Sequence, residues 1–122
     1  MTKAQSLHQF WSSFGIPAYS AETVPDKAVM PYITYEVGTD SFENSVLMTA
    51  SLWFHSYSWT EISDLAEQIS ERIVTMYPPT IEIDGGRLWI VKGTPFAQRI
   101  SDDDDAIRRI VLSIEAEFFT NY

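Results

Sequence analysis

The residues of this chain best suited to chemistry lie near its carboxyl end, in RISDDDDAIRRIVLSIEAEFF, where Asp102, Asp103, Asp104 and Asp105 run consecutively. Carboxylate oxygens suit hard cations such as Mg²⁺ and Ca²⁺. Adjacent side chains of an extended segment point to opposite sides, however, so these cannot all converge on one ion. A calcium loop spaces its ligands at alternate positions and sets a glycine in the turn, and this run has neither feature. The run therefore reads first as a solvated turn or a charged interface loop and second as a cation site, and no residue is assigned as a metal ligand.

Other chemistries fare worse. A metal-dependent nuclease needs separated carboxylates and a lysine around one bound water. Asp84, Lys92, Asp102, Glu115 and Glu117 are the residues available, and their spacing does not assemble them. A Ser–His–Asp arrangement would have to use His8, in a helical aromatic segment, or His55, at a strand end, where structural or surface roles are the ordinary ones. No glycine-rich loop precedes a helix that could aim its dipole at phosphate. Trp53, Tyr57, Trp59 and Trp89 could stack bases, but the basic groove that such stacking needs is missing, so they read as core or subunit contacts. Arg87, Arg99, Arg108 and Arg109 are scattered among acids and read as ion-pair partners, within the chain or across an interface, where an Arg fork can hold a carboxylate in two places. No catalytic residue and no cofactor site is assigned.

The elements that must position these residues follow from periodicity. Leu7, Phe10, Trp11 and Phe14 predict a helix over about 3–14, stopped by Gly15 and Pro17. Pro17, Pro25 and Pro31 make 16–31 an extended arm without regular structure. YITYEVG reads as a strand, then a polar turn around 38–45. In VLMTASLWFHS, Val46, Met48, Ala50, Leu52 and Phe54 take a core face. Leu47, Thr49, Ser51, Trp53 and His55 take the other, which is apolar enough to expect a cover.

Ser58 with Glu61 suggests a capping box, and Ile62, Leu65, Ala66, Ile69, Ile73 and Met76 trace a helix to about Tyr77, closed by Pro78 and Pro79. IEIDGGRLWIVKG predicts a hairpin about Asp84–Gly85–Gly86, residues 96–101 a short strand, and the period-two alternation of 107–119 a long one. The expected fold is a single α+β domain spanning 1–122, with a mainly antiparallel sheet of about five to six strands and two helices on one face. Strands of more than ten residues overhang a small core and expose backbone groups that can pair with another subunit.

The bulk properties agree with one domain. The chain has 122 residues, 45% of them hydrophobic and 14% aromatic, enough for one core. No run reaches the ~18 apolar residues of a membrane span, and the first residues lack the apolar middle of a secretory signal. There is no cysteine, which excludes disulfides and thiolate sites and is compatible with a reducing cytoplasm. The formal charge of −9 is the wrong sign for holding phosphates and the right sign for a surface that faces DNA without binding it.

Taken in succession, FWSSFGIPAY, VPDKAVMPYITYEV, LWFHSYSWTEISDLAEQI, the IDGGRLWIVKGTPFAQ hairpin and the acidic turn before the last strand resemble the tail terminator, or tail-completion, proteins of long-tailed bacteriophages over nearly the whole chain. The resemblance lies in these segments and not in an active-site signature. It implies a non-enzymatic virion protein, made in the host cytoplasm, whose copies form a ring, usually a hexamer, capping the tail tube. Its partners would be other copies of itself, the tail tube protein and the head connector proteins. Double-stranded DNA would pass through without specific binding, and no membrane would be involved.

Within that expectation Asp102 to Asp105 face the ring opening or a neighbouring subunit, with divalent cations assisting assembly at most. Trp53 and His55 sit on a subunit contact, and the 16–31 arm and the 38–45 turn become ordered on the tube. A head–tail adaptor or stopper shares these demands. From a different class, a small metal-dependent enzyme or ligand-binding module would need converging carboxylates and a tight metal site.

Overall fold

Alternation in the last segment builds the strand at the centre of the sheet, and the remaining elements pack around it. A computed structural model of the chain describes residues 3–36, 45–76 and 80–120. Its elements, in chain order, are α1 (Lys3–Ser12), β1 (Ala18–Ser20), β2 (Tyr32–Tyr35), β3 (Ser45–His55), α2 (Thr60–Thr75), β4 (Thr80–Ile83), β5 (Gly86–Ile100) and β6 (Ile107–Thr120). The expected 38–45 turn, apart from Ser45, and the stop at 77–79 lie outside the described residues, as does the side chain of Leu47.

The six strands form one sheet in the order β1-β2-β3-β6-β5-β4. Among the described residues only β1 and β2 are parallel neighbours. The fold is α+β, with both helices on one face, as the alternation requires. Ile33 and Tyr35 of β2, Met48 to Phe54 at even positions of β3, and Ile110, Leu112, Ile114 and Ala116 of β6 are all buried beneath Leu7, Phe10 and Trp11 of α1 and the Ile62–Ile73 stripe of α2.

Helix α1 touches both β1 and β4, which stand at opposite edges of the sheet. The sheet therefore curls, and α1 fills the seam between its edges. Ser6 is fully buried there, and its Oγ donates to the Glu82 carbonyl of β4 at 2.7 Å. That bond occupies a backbone acceptor on an edge strand which has no further strand to pair with. Ser6→Ala should cost about 1–2 kcal/mol in urea unfolding, because the carbonyl loses its partner where water is excluded. An unchanged midpoint would show that α1 does not seal the seam.

Several expected boundaries move. α1 ends at Ser12, not 14. The arm is not wholly irregular, since Ala18–Ser20 pairs with Ile33–Tyr35, a pairing continued by the Ile33 N–H donating to the Pro17 carbonyl at 2.9 Å. Ser58 lies one residue before the N-cap Trp59, and its Oγ accepts the Thr60 N–H at 3.1 Å in place of the expected box. In the hairpin Ile83 pairs with Gly86, so the loop is Asp84–Gly85, and of these Gly85 alone turns left-handed, at φ 79°.

The largest difference concerns β5. The hairpin strand and the separate strand expected at 96–101 are one strand of 15 residues, interrupted by a register shift between Lys92 and Ala97. Past Trp89 its outer side has no strand beside it among the described residues. Pro95, Lys92, Arg99 and the register shift all lie on that open stretch, and each discourages edge-to-edge pairing. The overhang is real, and it is protected.

Candidate assembly surface

The second face of the sheet carries no helix among the described residues. Because side chains alternate, β2, β3, β6 and β5 present on it a rung of four registered residues, Tyr32, Trp53, Arg109 and Ile100. Trp53 is half-buried on this rung. Its Nε1 donates to Thr34 Oγ1 at 2.9 Å, and the Arg109 guanidinium lies over its ring, 4.5 Å from the centroid. The indole is thus satisfied within one chain, which answers part of the expectation that it required a cover.

Arg109 reaches back to Ser51 Oγ through Nε at 3.3 Å and Nη2 at 3.1 Å. Among the described residues no carboxylate lies within ion-pair distance of it. Residues 21–24 of the arm rise beside β2 and turn this part of the face into a half-open hollow of about 310 Å³, walled by Ala21, Val24, Tyr32, Trp53 and Arg109, with Glu36 at its far end. Further along the same face Trp89 and Val91 are 40% and 47% exposed beside the exposed Glu115 and Glu117, which leaves an apolar strip rimmed by acid.

The aspartate run is a turn joining β5 to β6, and all four side chains are exposed. Asp102 Oδ1 accepts the Asp104 N–H and Asp104 Oδ1 accepts the Ala106 N–H, both at 2.9 Å, and the Ile107 N–H donates to the Asp104 carbonyl at 3.0 Å. Alternate aspartates therefore cap the backbone, while Asp103 and Asp105 project their carboxylates outward. Among the described residues no three His, Asp or Glu side chains converge as metal ligands would. Asp84 and Asp102 stand near opposite ends of β5, and Lys92 Nζ donates to Ser70 Oγ of α2 at 2.9 Å, so the carboxylates and lysine of a nuclease are dispersed.

Within one chain the arginines meet aromatic rings more than carboxylates. Only Arg87 faces a carboxylate, Glu82 across the hairpin at 4.0 Å, among the described residues. Arg99 and Arg108 lie over the Trp59 ring at 4.8 and 5.1 Å, as Arg109 does over Trp53. Arg108 also donates to the carbonyls of Asp105 at 2.6 Å and Tyr57 at 2.8 Å, tying the acidic turn to the entry of α2. Sequence order hides this, because 99, 108 and 59 meet only once β5 and β6 are paired. His55 is exposed at the end of β3, opposite Ile107, and so lies at the same end of the sheet as the acidic turn. His8 has a packing role: its Nδ1 and the Tyr35 hydroxyl lie 3.0 Å apart across the α1–β2 junction. Burial pushes the Tyr35 phenol above its ordinary pKa.

The acidic turn, the arginine-on-tryptophan platforms and the Trp53 hollow thus lie at one end of the sheet, with Arg99 and Arg108 on the strand side that carries the helices and Arg109 with the hollow on the open side. No helix among the described residues is long and apolar enough to cross a membrane. No protein-family model and no curated protein matches the sequence. The fold is similar to that of a chain in the virion of a native gene transfer agent (GTA) particle, with a TM-score of 0.67 and 16% identity over 96% of this chain and 94% of that one.

Proposed function

We propose that this chain is a non-enzymatic structural protein of a phage-like virion. Its copies close into a ring, six in number, at the head-proximal end of the tail tube, ending tube growth and offering the head connector a surface to join. The observation that carries this reading is the fold shared with a virion chain over nearly the full length of both. The helix-free sheet face supports it physically, since Trp89, Val91 and Val111 leave apolar area that a neighbouring subunit can bury.

A formal charge of −9 suits a ring whose opening passes DNA without holding it. Ordering of the arm and of the 38–45 turn on the tube would make association weak until the tube end is met, because ordering costs conformational entropy. Divalent cations would have at most a helping role in assembly.

Electron microscopy of particles assembled without this protein tests the reading. Overlong or unjoined tails are the expected result. Filled heads that leak DNA would point instead to an adaptor or stopper of the connector, and normal, joined particles would remove a structural role at this junction.

A further inference from the structure

We propose that the Asp102–Asp105 turn of one copy docks into the Trp53–Arg109 hollow of the next, so that each subunit carries both halves of the same contact. This rests on the ring reading above and names its joint. The first observation is charge. The chain holds 17 Asp and Glu against eight Lys and Arg, so copies repel unless their few cations meet carboxylates. Arg109 is half-buried on the open face, anchored to Ser51 and stacked on Trp53, and has no carboxylate beside it among the described residues. An Arg fork held this way is preorganised to take a carboxylate from outside.

The second observation is the division of labour in the turn. Asp102 and Asp104 spend their side chains on backbone N–H groups and so hold its shape. Asp103 and Asp105 are left exposed to solvent, a pair of carboxylates on a turn whose backbone is capped. The third is fit. The hollow is half-open, measures about 310 Å³, and has an apolar floor from Trp53 and Val111, so it can admit side chains from a turn.

The cation sits at one end of it. Glu36 lies at the other, beside Thr49 and four residues along β3 from Trp53, about 13 Å away in an extended strand. An acidic knob must therefore enter at the Arg109 end, which gives the contact a direction. A contact between unlike patches of identical chains propagates head to tail and closes into a ring when the rotation allows.

Sedimentation velocity of the full chain, from micromolar to near-millimolar concentration, tests the contact through a charge swap. Arg109→Glu alone and Asp103→Lys with Asp105→Lys alone should each weaken association by about 30-fold or more, the cost of a mispaired interfacial charge. Mixing the two variants should restore it, because each supplies the half that the other needs. Assembly by the single variants at wild-type strength would overturn the contact and leave the ring standing.

Loss that mixing does not repair would show that Arg109 serves some other carboxylate, and this too overturns the proposal. A wild-type chain that stays monomeric throughout overturns the contact, and the microscopy of particles then judges the ring reading separately. Should Arg109→Glu fail to fold, the turn variant decides alone: its substitutions are on an exposed turn and spare the bonds of Asp102 and Asp104, so undiminished assembly would refute the docking.

Discussion

Leu112→Ala should lower the free energy of unfolding by an amount in the upper half of the roughly 2–5 kcal/mol range for buried leucines. Leu112 has no exposed surface and lies in the central strand β6. Its registered neighbour on β3 is the buried Ala50, so the leucine fills space that this small side chain leaves on the core face that α2 packs against. Alanine has no rotamer with which to swell into the cavity, and a strand paired on both sides cannot close over it, so little of the lost contact is recovered. Against a total stability of about 5–15 kcal/mol for such a domain, the urea midpoint should fall by a large fraction. A shift below about 1 kcal/mol would show that α2 does not lie over this part of the sheet.

Gly93→Ala should destabilise by about 1–3 kcal/mol, and Gly93→Val by more. Gly93 sits in the register shift of β5, where a Cβ would meet Ser113 Cβ at 3.0 Å, the Ser113 carbonyl oxygen at 3.0 Å and its carbon at 3.1 Å. Two of these atoms are backbone of the central strand and cannot swing aside. The added methyl also restricts the unfolded chain, a gain of about 0.4–1 kcal/mol that the clash outweighs. Thermal or urea unfolding measures the loss. Ser113→Gly, which removes only the side-chain part of the clash, should rescue Gly93→Ala in part, while Ser113→Ala should not rescue it. Full rescue by Ser113→Ala would disprove this cause. The two strands read from the sequence are one because β5 keeps the same partner, β6, on both sides of the register shift between Lys92 and Ala97.

Local pattern carried much of the architecture. The alternation of β3 and β6 and the 3.6-residue stripe of α2 put Leu52, Leu112 and Ile69 in the core, because each period assigns one face and the apolar residues occupy it. The aspartate run was legible as a turn for the same reason, since an extended chain cannot focus adjacent carboxylates. β1 was not legible: three residues carry too little pattern, and their pairing with β2 is a long-range contact that no local period announces. That Arg99, Arg108 and Arg109 lie over tryptophan rings was not legible, because neighbouring acids along the chain say nothing about which ring lies across a strand.

By itself the sequence determined the α+β class, the two helices, the core faces and the acidic character, all of which depend on residue type and short-range periodicity. Tertiary structure decided what those faces meet: that α1 bridges both edges of a curled sheet, that β5 runs unbroken past its bulge, and that Arg109 stacks on Trp53 in a hollow at the same end as the acidic turn. The physical reason is that hydrophobic alternation selects a side of a strand, whereas the neighbours on that side are chosen by register, and register belongs to the whole sheet.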